Sequence, residues 1–220
     1  MYTPSAFELT DPDSQRQFID HYPLGTLVVQ EKGDLLATHL PFLQQPEPAQ
    51  GAGLLQAHIA RNNAEFACLP DGTAVLAVFQ GPHAYISPSW YPTKASTQGK
   101  AVPTWNYVSV HVHGKLTVKT DPAWLLVHLE RQTARYEQGR PDPWSIHDAP
   151  RDYIDTMLQH IVGLEISIER IEGKAKLSQN RPLADRQGVI HGLTDPLQPS
   201  IGSVFNGEIA RLMRNSLKPD

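Results

Sequence analysis

The chain has 220 residues, 40% of them hydrophobic and 19% charged, with a formal net charge of −4 at pH 7. That is the composition of a folded globular protein, large enough for one sizeable domain or one domain with helical additions. The acidic balance works against broad nucleic-acid binding, which needs a basic surface. No apolar run reaches the ~18–20 residues that would span a membrane. Cys68 is the single cysteine, which excludes an internal disulfide and any multi-cysteine zinc or iron–sulfur site. The first eight residues lack the basic flank and apolar stretch of a signal peptide, so a cytoplasmic setting is expected.

The first two thirds predict an antiparallel β domain. Leu24–Val29 is rich in β-formers, Lys32-Gly33-Asp34 supplies turn residues, and Leu35–Phe42 completes a hairpin. Gln45 to Gly53, with Pro46, Pro48, Gly51 and Gly53, predicts a loop. Leu54–Ile59 predicts a third strand, and Asn62–Cys68 a short helix begun by an asparagine cap. Thr73–Phe79 is an almost continuous apolar run, as in a strand buried on both faces. Gly81-Pro82 punctuates it, Ala84–Ser87 resumes extended structure, and Pro88 to Pro103 predicts a long polar loop. Long structured loops in compact domains are more often functional than connections are at random. Tyr107 to Val118 alternates apolar and polar residues, the pattern of a half-buried strand.

The last third predicts helices followed by a strand. Asp121-Pro122 opens a helix that Gly139 closes. A second helix is expected over Arg151–His160, a strictly alternating strand over Leu164–Ile171, and short helices after Pro182. Six or seven strands with intervening helices fit a closed β-barrel with helical additions, a mainly β, α+β fold.

Chemistry concentrates in three places. Gly81–Pro92 packs hydroxyls, aromatics and prolines together. Ligand sites prefer aromatic walls with a few fixed polar groups, and a proline-stiffened loop capping the barrel is the alternative. Val102–Tyr107 sets Asn106 between two aromatics, where it could hydrogen-bond the edge of a planar ring or cap a turn. Lys174 and Lys176 share a face ahead of Ser178-Gln179-Asn180-Arg181-Pro182, a segment that suits a phosphate or carboxylate site or a solvated basic turn. His111 and His113 share one strand face, but no third ligand stands at a recognisable spacing, so no metal site is expected. No Ser-His-Asp motif, phosphate-binding loop or dinucleotide fingerprint is present. Chemistry, if any, would then be a cofactor's.

With these motifs in place, the chain resembles the PaiB-type family of FMN-binding negative transcriptional regulators. The likeness runs through Met1–Phe7, Ala37–Phe42, Phe79–Tyr91, Val102–Tyr107 and Lys176–Arg181. It implies an antiparallel FMN-binding split β-barrel related to pyridoxamine-phosphate oxidases, acting as a homodimer. It divides the chain into a split-barrel domain with inserted helices over 1–172 and a C-terminal extension over 173–220. The FMN contacts implied by motif are Thr38, His39, Leu40, Ser87, Ser89, Trp90, Thr104, Trp105 and Asn106, with Lys176 and Gln179 near the phosphate or a substrate.

The resemblance implies a regulator, whereas the residues show no helix-turn-helix with a basic recognition helix. DNA contact, direct or through a partner, therefore stays open. The alternatives are an FMN-dependent oxidoreductase acting on a small molecule and a haem-binding split barrel ligated through His39, His58 or the His111/His113 pair.

Overall fold

A computed structural model describes residues 1–45, 53–197 and 203–217. The strands are β1 (Glu8–Leu9), β2 (Leu24–Glu31), β3 (Asp34–Pro41), β4 (Leu43–Gln45), β5 (Leu54–Ala60), β6 (Thr73–Ile86), β7 (Thr104–Lys119) and β8 (Ile161–Lys176). The helices are α1 (Pro12–His21), α2 (Ala64–Ala67), α3 (Pro122–Glu137), α4 (Arg151–Leu158), α5 (Leu183–Thr194) and α6 (Asn206–Asn215). Short 3₁₀ turns occupy Pro88–Trp90 and Pro92–Lys94 in the expected polar loop. No helix among the described residues is long and apolar enough to cross a membrane.

The expected β2–β3 hairpin closes through Lys32 (φ 51°) and Gly33 (φ 97°), with Glu31 paired to Asp34. Two consecutive positive φ angles match the right-handed twist of the flanking strands. Asp121 caps α3 by accepting a bond from the Ala123 N–H at 3.0 Å, with Pro122 in the first turn. Other expectations need correction. Asn63, not Asn62, precedes α2, and its side chain makes no capping bond. Gly81-Pro82 does not interrupt β6, which runs unbroken to Ile86; proline's fixed φ is compatible with extended backbone at the loss of one donor. Helix α1 was not expected; its polar sequence hides it, although the Asp11 carboxylate receives the Ser14 N–H at 2.8 Å. Residues 46–52 of the expected Gln45–Gly53 loop lie outside the described residues.

The sheet order is β3-β2-β6-β7-β8-β5-β4, with β1 added to β8. Among the described residues the hydrogen-bonded path is open between β3 and β4, so the expected closed barrel is corrected to an open, split one. β4 has only three residues, and they pair with β5. The chain divides into two compact units. One holds residues 19–79 and 111–171, with α3 and α4; the other holds 1–18, 80–110 and the C-terminal stretch from Glu172, with α5 and α6.

In the α3–α4 unit the sheet buries Leu27, Val29, Leu55, Ala57, Val112, Leu116, Leu164 and Ile166. Phe42 meets Phe79 edge to face at 5.5 Å above Gly25, where a Cβ would come within 2.8 Å of Phe79. Helix α3 lays Trp124 on Gly163 of β8, where a Cβ would sit 2.1 Å from the indole. Trp124 stacks on His128 (5.3 Å, 13°), and His128 Nε2 lies 3.3 Å from His58 Nδ1 on β5. Across β5, β7 and β8, Glu165 receives Lys119 and Gln56, each at 2.8 Å. Burial opposes that carboxyl's charge, but Lys119, Gln56 and Trp124 together hold it below its ordinary range.

In the α5–α6 unit, β1 pairs with the end of β8, Glu8 opposite Lys174 and Leu9 opposite Gly173. Helices α5 and α6 cover one face of the strand ends. Ala84, Ile86, Val108 and Leu177 pack there with Val189, Leu193, Ile209 and Met213.

His128 gives the α3–α4 unit an acid limit. Its ring is 1% exposed. Burial first, then the neighbouring His58 and Arg131, lower its pKa from 6.5 to about 4. The unfolded chain then binds a proton that the folded chain refuses, so the stabilisation is complete above pH 6.5 and is lost as pH falls toward 4. A depression of this size corresponds to roughly 3 kcal/mol. In urea unfolding across pH 4–8, His128→Leu is expected to flatten the acid limb by about that amount; an unchanged limb would assign the loss to other groups.

Candidate functional site

The two-residue period of the strands dictates what the second face of the α5–α6 unit carries. On β6, Ala84 and Ile86 turn into the core under α5 and α6, which leaves His83, Tyr85 and then Ser87 on the other side, each half-buried. On β7, Asn106 and Val108 are buried, while Trp105 is 42% exposed and Tyr107 half-buried. Ala175 on β8 and Leu177 just past its end join the core, and Lys174 and Lys176 fall on the alternate positions. Trp105 lies 6.0 Å from Tyr85, edge to face, and 6.1 Å from His83, which in turn sits 4.9 Å from Phe205. The result is a row of aromatic rings beside two lysines.

The lysines are held rather than solvated. Lys176 Nζ donates to Thr104 Oγ1 and, at 2.9 Å, to the Trp105 carbonyl. Burial, reinforced by the charges of Lys174 and Arg181, lowers its pKa below the usual lysine range. Lys174 is only 8% exposed; its Nζ donates to the Tyr2 carbonyl at 3.1 Å and stands 5.2 Å from the centre of the Tyr107 ring. Among the described residues neither lysine has a carboxylate partner. A buried Lys174 beside a half-buried Lys176, with no acid paired to either, is costly unless an anion completes the pair. The aromatic row suits a flat ring and the lysines suit a phosphate, so the residues fit a flavin mononucleotide.

The residues expected at the site fall into four groups. Thr104, Trp105 and Lys176 meet directly. Ser87 and Ser89 follow on the turn after β6, their hydroxyls 2.7 Å apart, with Ser87 capping the turn by accepting the Ser89 N–H at 3.2 Å. Asn106, Gln179 and Trp90 face inward. Asn106 is fully buried and bonds the Ser178 hydroxyl at 3.0 Å. Ser178 adopts a left-handed backbone (φ 62°), a strained geometry for a residue with a Cβ. Both ends of the Gln179 amide are tied to backbone at the end of β8 and just past it, to the Leu177 N–H at 2.6 Å and the Ala175 carbonyl at 2.5 Å. The Trp90 indole lies on Gly192 of α5. Thr38, His39 and Leu40 lie on β3 in the α3–α4 unit, half-buried, exposed and buried in turn.

Sequence reasoning missed His83, Tyr85 and Tyr107 as members of one surface, and it left Lys174 out of the FMN contacts although it set Lys174 and Lys176 on one face. The signal was present as alternation, but it becomes readable only when the face of each strand is known. Elsewhere, the α3–α4 unit has a cleft of about 460 Å³ lined by Glu130, Glu137, Trp144 and His147, and none of the expected residues lines it. Among the described residues no group of three or more His, Cys, Asp or Glu could hold a metal.

Comparison with known proteins bears on the family and the fold. A family model described as "Putative FMN-binding domain" matches residues 1–170. The Bacillus subtilis protein named protease synthase and sporulation protein PAI 2 is 34% identical over 220 residues, covering 99% of each chain. A protein of Aspergillus fumigatus is also 34% identical, covering 87% of this chain and 90% of its own. Among solved structures, a FAD- and haem-binding protein from Mycobacterium smegmatis has a TM-score of 0.57 at 15% identity, covering 77% of this chain and 73% of its own. A conserved hypothetical protein from Mycobacterium tuberculosis has a TM-score of 0.55 at 13% identity, covering 83% and 94%. These structural likenesses concern the split-barrel fold alone. The family match over 1–170 and the full-length identity place this chain in the PaiB-type FMN-binding family, with FMN as the cofactor.

Proposed function

We propose that this chain is a cytoplasmic, homodimeric regulator whose state is set by FMN on the aromatic–cationic face of the α5–α6 unit. The observation that carries the site is the pair Lys174 and Lys176, two clustered cations without carboxylate partners beside Tyr85, Trp105 and Tyr107. In this reading the rings of Trp105 and Tyr85 cover the flavin. Lys176, with Thr104 orienting its ammonium, takes the phosphate, and the Ser87 and Ser89 hydroxyls bind the oxygen-rich tail. Asn106, Gln179 and Trp90 hold the strand ends and the turn in place. Thr38, His39 and Leu40 are included as FMN contacts on the resemblance alone. Bound flavin would supply electron- or hydride-transfer chemistry.

A homodimer is supported by the outer face of the β3–β2–β6 sheet. Leu35 is 75% and Leu24 65% exposed, and Ala37 and His39 are exposed beside them. The register sets Val28 between Ala37 and Leu76, and Thr26 between His39 and Val78. An apolar sheet face ending in an edge strand invites pairing unless it is covered, and a second copy is the economical cover. The regulatory role rests on family membership and on the B. subtilis relative, whose name concerns protease synthesis and sporulation. The net charge of −4 favours action through a partner over direct DNA binding.

The purified protein is expected to acquire a flavin spectrum on addition of FMN. Lys176→Met should weaken FMN binding about 10- to 100-fold, the loss of one charge-assisted bond to a phosphate, and riboflavin binding far less. Equal effects on FMN and riboflavin would remove Lys176 from the phosphate, and no uptake would sink the FMN site. Rapid bleaching by NADH or NADPH without oxygen would move the reading to an oxidoreductase. Sedimentation should give a dimer that Leu35→Glu converts to monomer; a monomeric unaltered protein would end the dimer proposal.

A further inference from the structure

The turn that carries Ser87 and Ser89 is fastened to a helix that lies beyond the residues matched by the family model. Helix α5 presents Gly188 and Gly192, one helical turn apart, to Trp90. A Cβ at 188 would lie 2.1 Å from the Trp90 carbonyl oxygen, and one at 192 would lie 2.4 Å from the indole. Only glycine lets the helix backbone approach that closely. In the first turn of the same helix, Asp185 is 2% exposed and accepts the Thr93 N–H at 3.1 Å and the Thr93 hydroxyl at 2.8 and 2.9 Å. A buried carboxylate is tolerated only with such bonds, so Thr93 is fixed as firmly as Asp185. Arg181, just before α5, stands 4.9 Å over the ring of buried Tyr91. The loop is therefore gripped at Trp90, Tyr91 and Thr93, immediately after the two serines.

We infer that α5 is a working part of the ligand site, with Asp185, Gly188 and Gly192 as positioning residues that set where the Ser87 and Ser89 hydroxyls meet the oxygen-rich tail of the ligand. None of the three touches the ligand; they act through Thr93 and Trp90. The inference rests on the FMN reading above, and it adds that affinity for the tail is controlled from a C-terminal helix.

Two readouts on the full chain test it: FMN affinity by quenching of flavin fluorescence, and the rate of trypsin cutting after Lys94 and Lys100, both exposed in the gripped loop. Asp185→Ala and Gly192→Ala should speed cutting at these lysines and weaken FMN binding by about tenfold or more, the scale of a lost buried hydrogen bond or an overpacked contact. Asp185→Asn keeps an acceptor for Thr93, and Thr93→Ser keeps the hydroxyl, so both should rescue affinity to within about twofold. Where Asp185→Ala does not fold, Thr93→Val reports the same contact from the less buried side. Faster cutting with unchanged FMN affinity would overturn the inference, as would unchanged cutting or failure of the conservative variants to rescue. If the unaltered protein takes up no FMN, the FMN reading fails, and the trypsin rates still decide whether α5 holds the loop.

Discussion

The two-residue period of three long strands governs everything else in this molecule. β6, β7 and β8 run for 14, 16 and 16 residues, and in the α5–α6 unit each must satisfy a core on one face while leaving the other for chemistry. A shift of one residue in any of them would exchange Trp105 with Asn106, or Lys176 with Leu177, and destroy both faces at once. The buried bond between Asn106 and Ser178 pins β7 to the end of β8 against such a slip. The Gln179 amide secures the same strand end through Leu177 and Ala175. These polar groups look inward, yet the arrangement of the outer face depends on them.

The fold was legible wherever a local signal and a tertiary need coincided. Lys32-Gly33 made a turn because Gly33 takes a positive φ freely, and the paired strands on either side hold Lys32 at φ 51°. Asp121-Pro122 began a helix because a carboxylate cap and a proline suit its first turn. Prediction failed where a local rule met a neighbour that overrode it. Gly81-Pro82 reads as a break, but the surrounding strands keep it extended. The run of strands reads as closure, but among the described residues the ladder ends at β3 on one side and β4 on the other.

The site was legible in part for the same reason. Trp105, Thr104 and Lys176 stood out as residue types, and the structure joins them. Asn106 stood out equally, yet its amide is spent on Ser178, because its place on β7 points it under α6 beside Met213. Residue type announces that a group can bind a ring; strand parity decides whether it faces one. His83, Tyr85 and Tyr107 became visible only when β6, β7 and β8 could be read as one surface.

Helix α5 has a further consequence. Two glycines in twelve residues make it a poor helix by itself, each costing about 1 kcal/mol relative to alanine. What it lacks in intrinsic propensity has to come from packing, and its close approach to Trp90 supplies part of it. Linkage makes that dependence mutual: whatever steadies the loop steadies the C-terminal helix by the same free energy, and a partner that grasps the helix alters the loop in return. The glycines that permit a close fit thus tie the stability of the helix to that of the loop it closes on.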